Sequence, residues 1–174
     1  AEADSLRAID AQLAAEITRR QQALARRIAS RPGAGAGGGS RRVGNVALAT
    51  VRGFTVAASI ARQVEGLLAA AEADGIVFGG GGYRSSDGQI ATRRANCGTS
   101  DYDIYEKPAS QCSPPTARPG YSMHERGLAI DFTYGGRAIV SRSDPGFQWL
   151  NRNANNFGLY NLPSEPWHWS TNGN

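Results

Sequence analysis

The chain has 174 residues, 40% hydrophobic and 20% charged, a composition that suits one globular domain with an appendage. No apolar run approaches the ~20 residues needed to cross a bilayer, so a membrane-spanning segment is excluded. The net charge of +4 belongs to residues 1–42, with eight arginines, four acids and no aromatic, while residues 43–174 balance at eleven basic and eleven acidic. Without interleaved aromatics that basic excess does not make a nucleic-acid-binding face.

Residues 2–30 carry Leu6, Ile9, Leu13, Ile17, Leu24 and Ile28 along one helical face, so the first 30 residues are expected to form an amphipathic helix. This helix is a candidate for self-association through a short coiled coil, or for docking on the domain. Arg31-Pro32 ends it, and the GAGAGGGS run from Gly33 to Ser40 reads as flexible linker. The expected division is therefore a helix over 1–30, a linker over 31–42 and a domain over 43–174. Ala1 does not open a basic and apolar leader, which leaves an extracytoplasmic location open.

In the domain, Phe54-Thr55-Val56 reads as a strand leading into a helix that buries Ile60, Val64, Leu67, Leu68 and Ala71, with Gly75 as its stop. Ile76-Val77-Phe78 is a short strand candidate, followed by four glycines and Tyr83-Arg84-Ser85. Ser86-x-x-Gln89 has the spacing of a capping box opening a second helix to about Ala95, a structural role that would account for Gln89. Residues 98–121 hold four prolines and read as a long pinned loop. Cys97 and Cys112, 15 positions apart around it, are a candidate disulfide of an oxidising compartment, with two free thiols as the alternative.

Residues 127–133 read as a strand with Leu128, Ile130 and Phe132 on one face and Ala129 and Asp131 on the other. Asp144-Pro145 opens a helix with Phe147, Leu150, Ala154 and Phe157 in its apolar stripe, and Trp167-His168-Trp169 forms a terminal strand. Helices and strands mix without a βαβ rhythm. The expected class is α+β, a small antiparallel sheet flanked by helices and preceded by the N-terminal helix.

The chain contains two histidines, His124, seven residues before Asp131, and His168, three residues after Glu165. Two imidazoles and a carboxylate form a known ligand set for catalytic zinc, and a further carboxylate such as Glu165 would serve as the base that such a site requires. On spacing alone, hydrogen-bonded structural histidines and a strand aspartate are also accommodated.

Ser122-Met-His124-Glu-Arg-Gly127-Leu-Ala129-Ile-Asp131 matches an SxHxxGxAxD pattern, Glu165-Pro-Trp167-His168-Trp169 an ExxH(W) pattern, and Gly82-Tyr83-Arg84-Ser85 a YRS segment. Over residues 54–169 the chain thus resembles the VanY-type D-alanyl-D-alanine carboxypeptidases, related to the LAS-type peptidoglycan peptidases. The resemblance implies a DD-peptidase/Hedgehog-like fold, a secreted or cell-wall location, and Zn2+ held by His124, Asp131 and His168. It also implies Glu165 as general acid/base, Arg84 as a catalytic residue that binds substrate and polarises its carbonyl, and Ser122 as a substrate contact. Surface pairing for Arg84, or capping of the turn before His124 for Ser122, are the structural alternatives. The implied activity is removal of the terminal D-Ala from peptidoglycan stem peptides. L,D-carboxypeptidase or L-Ala–D-Glu endopeptidase action on the same site, or a non-catalytic wall-binding module, are the rivals.

Overall fold

The computed structural model describes residues 41–43 and 45–174; the helix expected over 2–30 and the glycine run Gly33–Ser40 lie outside the described residues. The fold is α+β, with antiparallel sheets flanked by helices. Where one small sheet was expected, the described residues form two. Strands β1 (Arg41–Val43), β2 (Val46–Val51) and β3 (Phe54–Ala57) make a three-stranded sheet in that order, so its first strand takes in two arginines that composition groups with the linker. Arg52 and Gly53 both have positive φ, which gives the two-residue turn whose twist suits a hairpin between β2 and β3.

Helix α1 (Ala61–Ala73) follows and buries Val64, Leu67, Leu68 and Ala71, as their spacing requires. Strand β4 does not occupy Ile76–Phe78. It runs over Phe78–Gly81 and leaves Val77 67% exposed; the strand it pairs with comes so close that a Cβ at Gly80 would fall on the Asp131 carbonyl, an approach that only glycine permits. The second sheet has the order β4-β5-β8-β7, built on the central strand β5 (Ala129–Tyr134). β6 (Arg137–Ala138) also pairs with β5, and β7 (Tyr160–Asn161) pairs with β8 (His168–Ser170). The sheets are tied together where Tyr83 N–H donates to Thr55 C=O and Ala57 N–H donates to Gly127 C=O.

The core lies between these layers. The Phe132 ring stands 5.6 Å from that of Phe54 and 5.2 Å from that of Phe78, which in turn lies 5.8 Å from Trp149. Ile130 and Phe132 are fully buried, as the alternation of β5 predicts, and each such side chain contributes roughly 1.5–3 kcal/mol of burial. Helix α3 (Pro145–Asn153) starts as expected, with the Asp144 carboxylate accepting from Gly146 N–H, and adds Phe147, Trp149 and Leu150 to the core.

Helix α2 (Ser86–Cys97) starts one residue away from the expected capping box. Ser85 is its N-cap, accepting from Gly88 N–H, so Gln89 falls beyond the capping position and its buried amide is left for another task. Residues 98–121 are held by a Cys97–Cys112 disulfide and by Arg93 of α2. The Arg93 guanidinium is fully buried and donates to the carbonyls of Asp103, Ile104, Lys107 and Thr116, making it the hub around which this segment wraps.

Candidate metal centre and cleft

Asp131 sits in the middle of β5, where the register places it opposite Gly81 of β4 on one side and His168 of β8 on the other. Antiparallel pairing therefore brings His168 to Asp131 across 37 positions of sequence. His124 arrives from the turn before β5, closed by Gly127 at φ +67°, where a Cβ would strike the Ala57 backbone.

His124 Nε2, His168 Nδ1 and Asp131 Oδ1 converge. The separations are 3.2 Å between the nitrogens, 3.1 Å from His124 to Asp131 and 2.9 Å from His168 to Asp131. The outer ring nitrogens are both committed. His124 Nδ1–H donates to Gly82 C=O at 2.6 Å, and His168 Nε2–H donates to Asn174 C=O at 3.1 Å. With an outer N–H of each ring committed to a carbonyl, the two inner nitrogens and a carboxylate oxygen face one point, an arrangement suited to a cation. Donors about 2 Å from a tetrahedral metal ion stand about 3.3 Å from one another, so the set fits such an ion. Carbonyl acceptors behind both rings are the usual means of fixing tautomer and orientation in metal sites.

The electrostatics agree with this reading. Burial alone would push the Asp131 carboxyl up, but hydrogen bonds from His124 and His168 outweigh it and hold the group well below the usual carboxylate range. Burial would lower His168, yet its hydrogen bond to Asp131 and the Asp131 charge raise it, so the spot favours positive charge. Glu165 is buried beside the cluster, and that burial raises its carboxyl above the ordinary value, with the Asp131 charge adding to the rise and His168, His124 and Arg84 opposing it. A carboxyl group raised in this way holds a proton more readily than an exposed one.

All the site residues expected from sequence meet in one cleft of about 320 Å³, which Arg84, Ser122 and Glu165 line together with the three converging residues. Arg84 Nη2 lies 3.3 Å from Asp131 Oδ2 and its Nη1 donates to Gln89 Oε1 at 2.9 Å. Ser122 is buried, and its hydroxyl accepts from His124 N–H at 3.3 Å, so it caps the turn while facing the cleft. Gln89, which sequence spacing assigned to a helix cap, instead bridges Arg84 and the Ala117 carbonyl. The signal that could have found it is its position five residues after Arg84, one turn into α2. Asn174, whose carbonyl holds His168, carries no local signal at all.

Gly80 is the tight point beneath the site. Its φ is +135°, and a Cβ there would fall on the Asp131 carbonyl, whereas Gly81 faces open space. Gly80→Ala is expected to lower stability by about 2–4 kcal/mol and to weaken metal binding, while Gly81→Ala stays within about 0.5 kcal/mol of the parent. Urea unfolding and metal titration of the two variants provide the check, and equal behaviour of the pair would contradict the steric reading.

Comparison with known proteins places this geometry in a family. The family model described as VanY: D-alanyl-D-alanine carboxypeptidase matches residues 53–174. Among solved structures, the chain is similar to a mutant of the vancomycin resistance D,D-pentapeptidase VanY from a VanB-type resistance cassette, in complex with Zn(II). The identity is 27%, covering 72% of this chain and 78% of that one, with a TM-score of 0.50. VanYB in complex with D-alanine-D-alanine shares the fold at 23% identity, 80% coverage of both chains and a TM-score of 0.51. The LdcB LD-carboxypeptidase does so at 17% identity, covering 76% of this chain and 83% of that one, with a TM-score of 0.50. No curated protein matches the sequence. With the family model spanning well over half of its length, and that span holding the whole of the cleft, the chain belongs to the VanY D-alanyl-D-alanine carboxypeptidase family.

Proposed function

We propose that the protein is a zinc-dependent D,D-carboxypeptidase that removes the terminal D-Ala from peptidoglycan stem peptides outside the cytoplasm. The observation that carries this reading is the convergence of His124 Nε2, His168 Nδ1 and Asp131 Oδ1 within 3.2 Å of one another, at a cleft that also holds Glu165 and Arg84. His124, Asp131 and His168 would hold the zinc, which when bound supplies Lewis acidity, lowering the pKa of water to about 7 and polarising a carbonyl.

The other groups act on substrate and proton. Glu165 takes the proton of the attacking water and passes it to the leaving amine, a role that its burial favours. Arg84 has two of its five N–H groups tied to Gln89 and Asp131, which fixes the plane of the guanidinium and leaves donors for the substrate's carbonyl oxygen or terminal carboxylate. Ser122 adds a hydroxyl on the same wall. The Cys97–Cys112 disulfide supports an oxidising, extracytoplasmic setting. In this reading the peptidase domain comprises residues 43–174 together with Arg41 and Arg42 of β1, and residues 1–40 are an appendage.

Mass spectrometry of muropeptide stems incubated with the zinc-loaded protein tests the proposal, with a chelated sample as control. The expected product is pentapeptide shortened by one D-Ala, absent after chelation. Loss of D-Ala only from tetrapeptide would favour L,D-carboxypeptidase action, and a cut inside the stem would favour an endopeptidase. No cleavage in either sample would overturn the reading.

A further inference from the structure

Glu165 lies in neither a helix nor a strand, but where one turn ends and the next begins, between β7 and β8. Its backbone is held on both sides. Glu165 N–H donates to Leu162 C=O at 2.9 Å, and Glu165 C=O accepts from His168 N–H at 3.1 Å. His168, three residues on, belongs to β8 and is fixed by its pairing to Asp131 of β5. Turns open more readily than paired strands in a core. A side chain carried on a turn therefore needs a further tie if it is to keep its distance from a partner on a strand.

Asn161, the last residue of β7, supplies it. Its Nδ2 donates to the backbone carbonyls of both Glu165 and His168, at 2.9 Å each, so one amide group spans the segment between them. Its Oδ1 accepts from Arg142 Nη2 at 3.4 Å, and the same nitrogen donates to Pro163 C=O within the turn. These partners fix which way the amide points. The reverse orientation would set Oδ1 against two carbonyl oxygens and Nδ2 against a guanidinium. Arg142 lies over the Phe147 ring at 4.9 Å, which anchors the arrangement on α3. Asn161 does not line the cleft, whereas Glu165 and His168 do, so any effect it has on the chemistry passes through them.

We propose that Asn161 is a positioning residue for the peptidase reaction, holding the Glu165 carboxyl at a fixed distance from the metal centre by tying its backbone to that of His168. The inference rests on the reading of Glu165 as the group that carries the proton. Such a group must stand within hydrogen-bond reach of the water it deprotonates, and a displacement of about 1 Å costs on the order of 10²-fold in rate. The other bonds of the turn are backbone bonds that most residues could make. This one requires a side chain with two N–H groups on one atom. Aspartate has the same shape without a donor, and alanine has neither.

The test compares the parent with Asn161→Ala, Asn161→Asp and a control, Asn153→Ala, all as zinc-loaded full-length protein. Asn153 is buried in α3, donates to Trp149 C=O at 2.9 Å and does not line the cleft. Its loss should lower the melting temperature and leave kcat within about twofold of the parent. Both Asn161 variants are expected to keep one zinc, lose about ten- to hundredfold in kcat on pentapeptide stems, and hold KM within about threefold. Amide hydrogen exchange at Glu165 and His168, read by NMR, should quicken about tenfold or more, with Ile130 and Phe132 of β5 unchanged. Asn161→Asp keeps the side-chain shape and faces Arg142 with a carboxylate, which guards against a failure of Asn161→Ala to fold. Parental kcat in either Asn161 variant overturns the proposal and leaves the D,D-carboxypeptidase reading standing. So does a rise in KM in place of the fall in kcat, or an equal loss of kcat in Asn153→Ala. A parent that cleaves no D-Ala-terminated peptide overturns the D,D reading. In that case quickened exchange at Glu165 and His168 keeps Asn161 as their tie, and parental exchange overturns it too.

Discussion

Glu165→Gln is expected to bind zinc in the same one-to-one ratio expected of the parent, and to lose about 10²–10⁴-fold in kcat on D-Ala-terminated peptides. The two properties separate because Glu165 is not one of the three converging residues but stands beside them in the same cleft. Glutamine preserves the shape of this buried side chain, so packing of the turn between β7 and β8 is maintained while the capacity to accept a proton is lost. That turn depends on backbone bonds, with Glu165 N–H donating to Leu162 C=O and His168 N–H donating to Glu165 C=O, and neither is altered by the substitution. Metal analysis by mass spectrometry and steady-state kinetics on the same sample give the answer. Near-parental kcat would remove Glu165 from the chemistry, and loss of zinc would make it a ligand or a structural support.

Arg93→Met carries the largest expected cost to stability, on the order of 3–5 kcal/mol, or a fall in melting temperature of roughly 10 °C. Methionine fills much of the space, but the carbonyls of Asp103, Ile104, Lys107 and Thr116 lose their shared donor. A buried carbonyl without a partner loses the hydrogen bonds it had to water in the unfolded chain, a cost that falls most on Ile104 and Thr116, the two buried residues among the four. Arg93→Lys is expected to recover less than half of the loss, because one ammonium cannot span what a planar guanidinium spans. The effect should reach the cleft as well, since Pro115, Thr116 and Ala117 of the same segment line it. Thermal unfolding and kcat/KM of the three proteins provide the check. A fall of less than about 2 °C for Arg93→Met would show that the segment is held by its disulfide and prolines alone.

Several elements were legible in the sequence because their causes are local. The stripe of α1, the Asp144-Pro145 start of α3 and the alternation of β5 depend on neighbours within a few residues; the first two were found where expected, and β5 begins at Ala129, two residues later than the stretch 127–133. His124 and Asp131 are also close in sequence, separated by one turn and half a strand. Gln89 shows the limit of such reasoning. A capping pattern one residue out of register supplied a sufficient local explanation, and its actual partners, Arg84 and the Ala117 carbonyl, are brought to it by the folding of α2 and the 98–121 segment.

Arg93, Gly80 and Asn174 were invisible for a related reason. An arginine in a helix reads as a solvated charge until the chain wraps around it, and a row of four glycines gives no sign that Gly80 and Gly82 are the two that face carbonyls. Residue chemistry by itself determined which side chains can bind a metal, move a proton and grip a carboxylate, because ligand preference and charge are properties of the residue. The tertiary structure alone decided that His168 meets Asp131 across antiparallel strands and that carbonyls of Gly82 and Asn174 turn both imidazoles toward one point. Those are distances between parts of the chain far apart in sequence, and only strand register and packing set them.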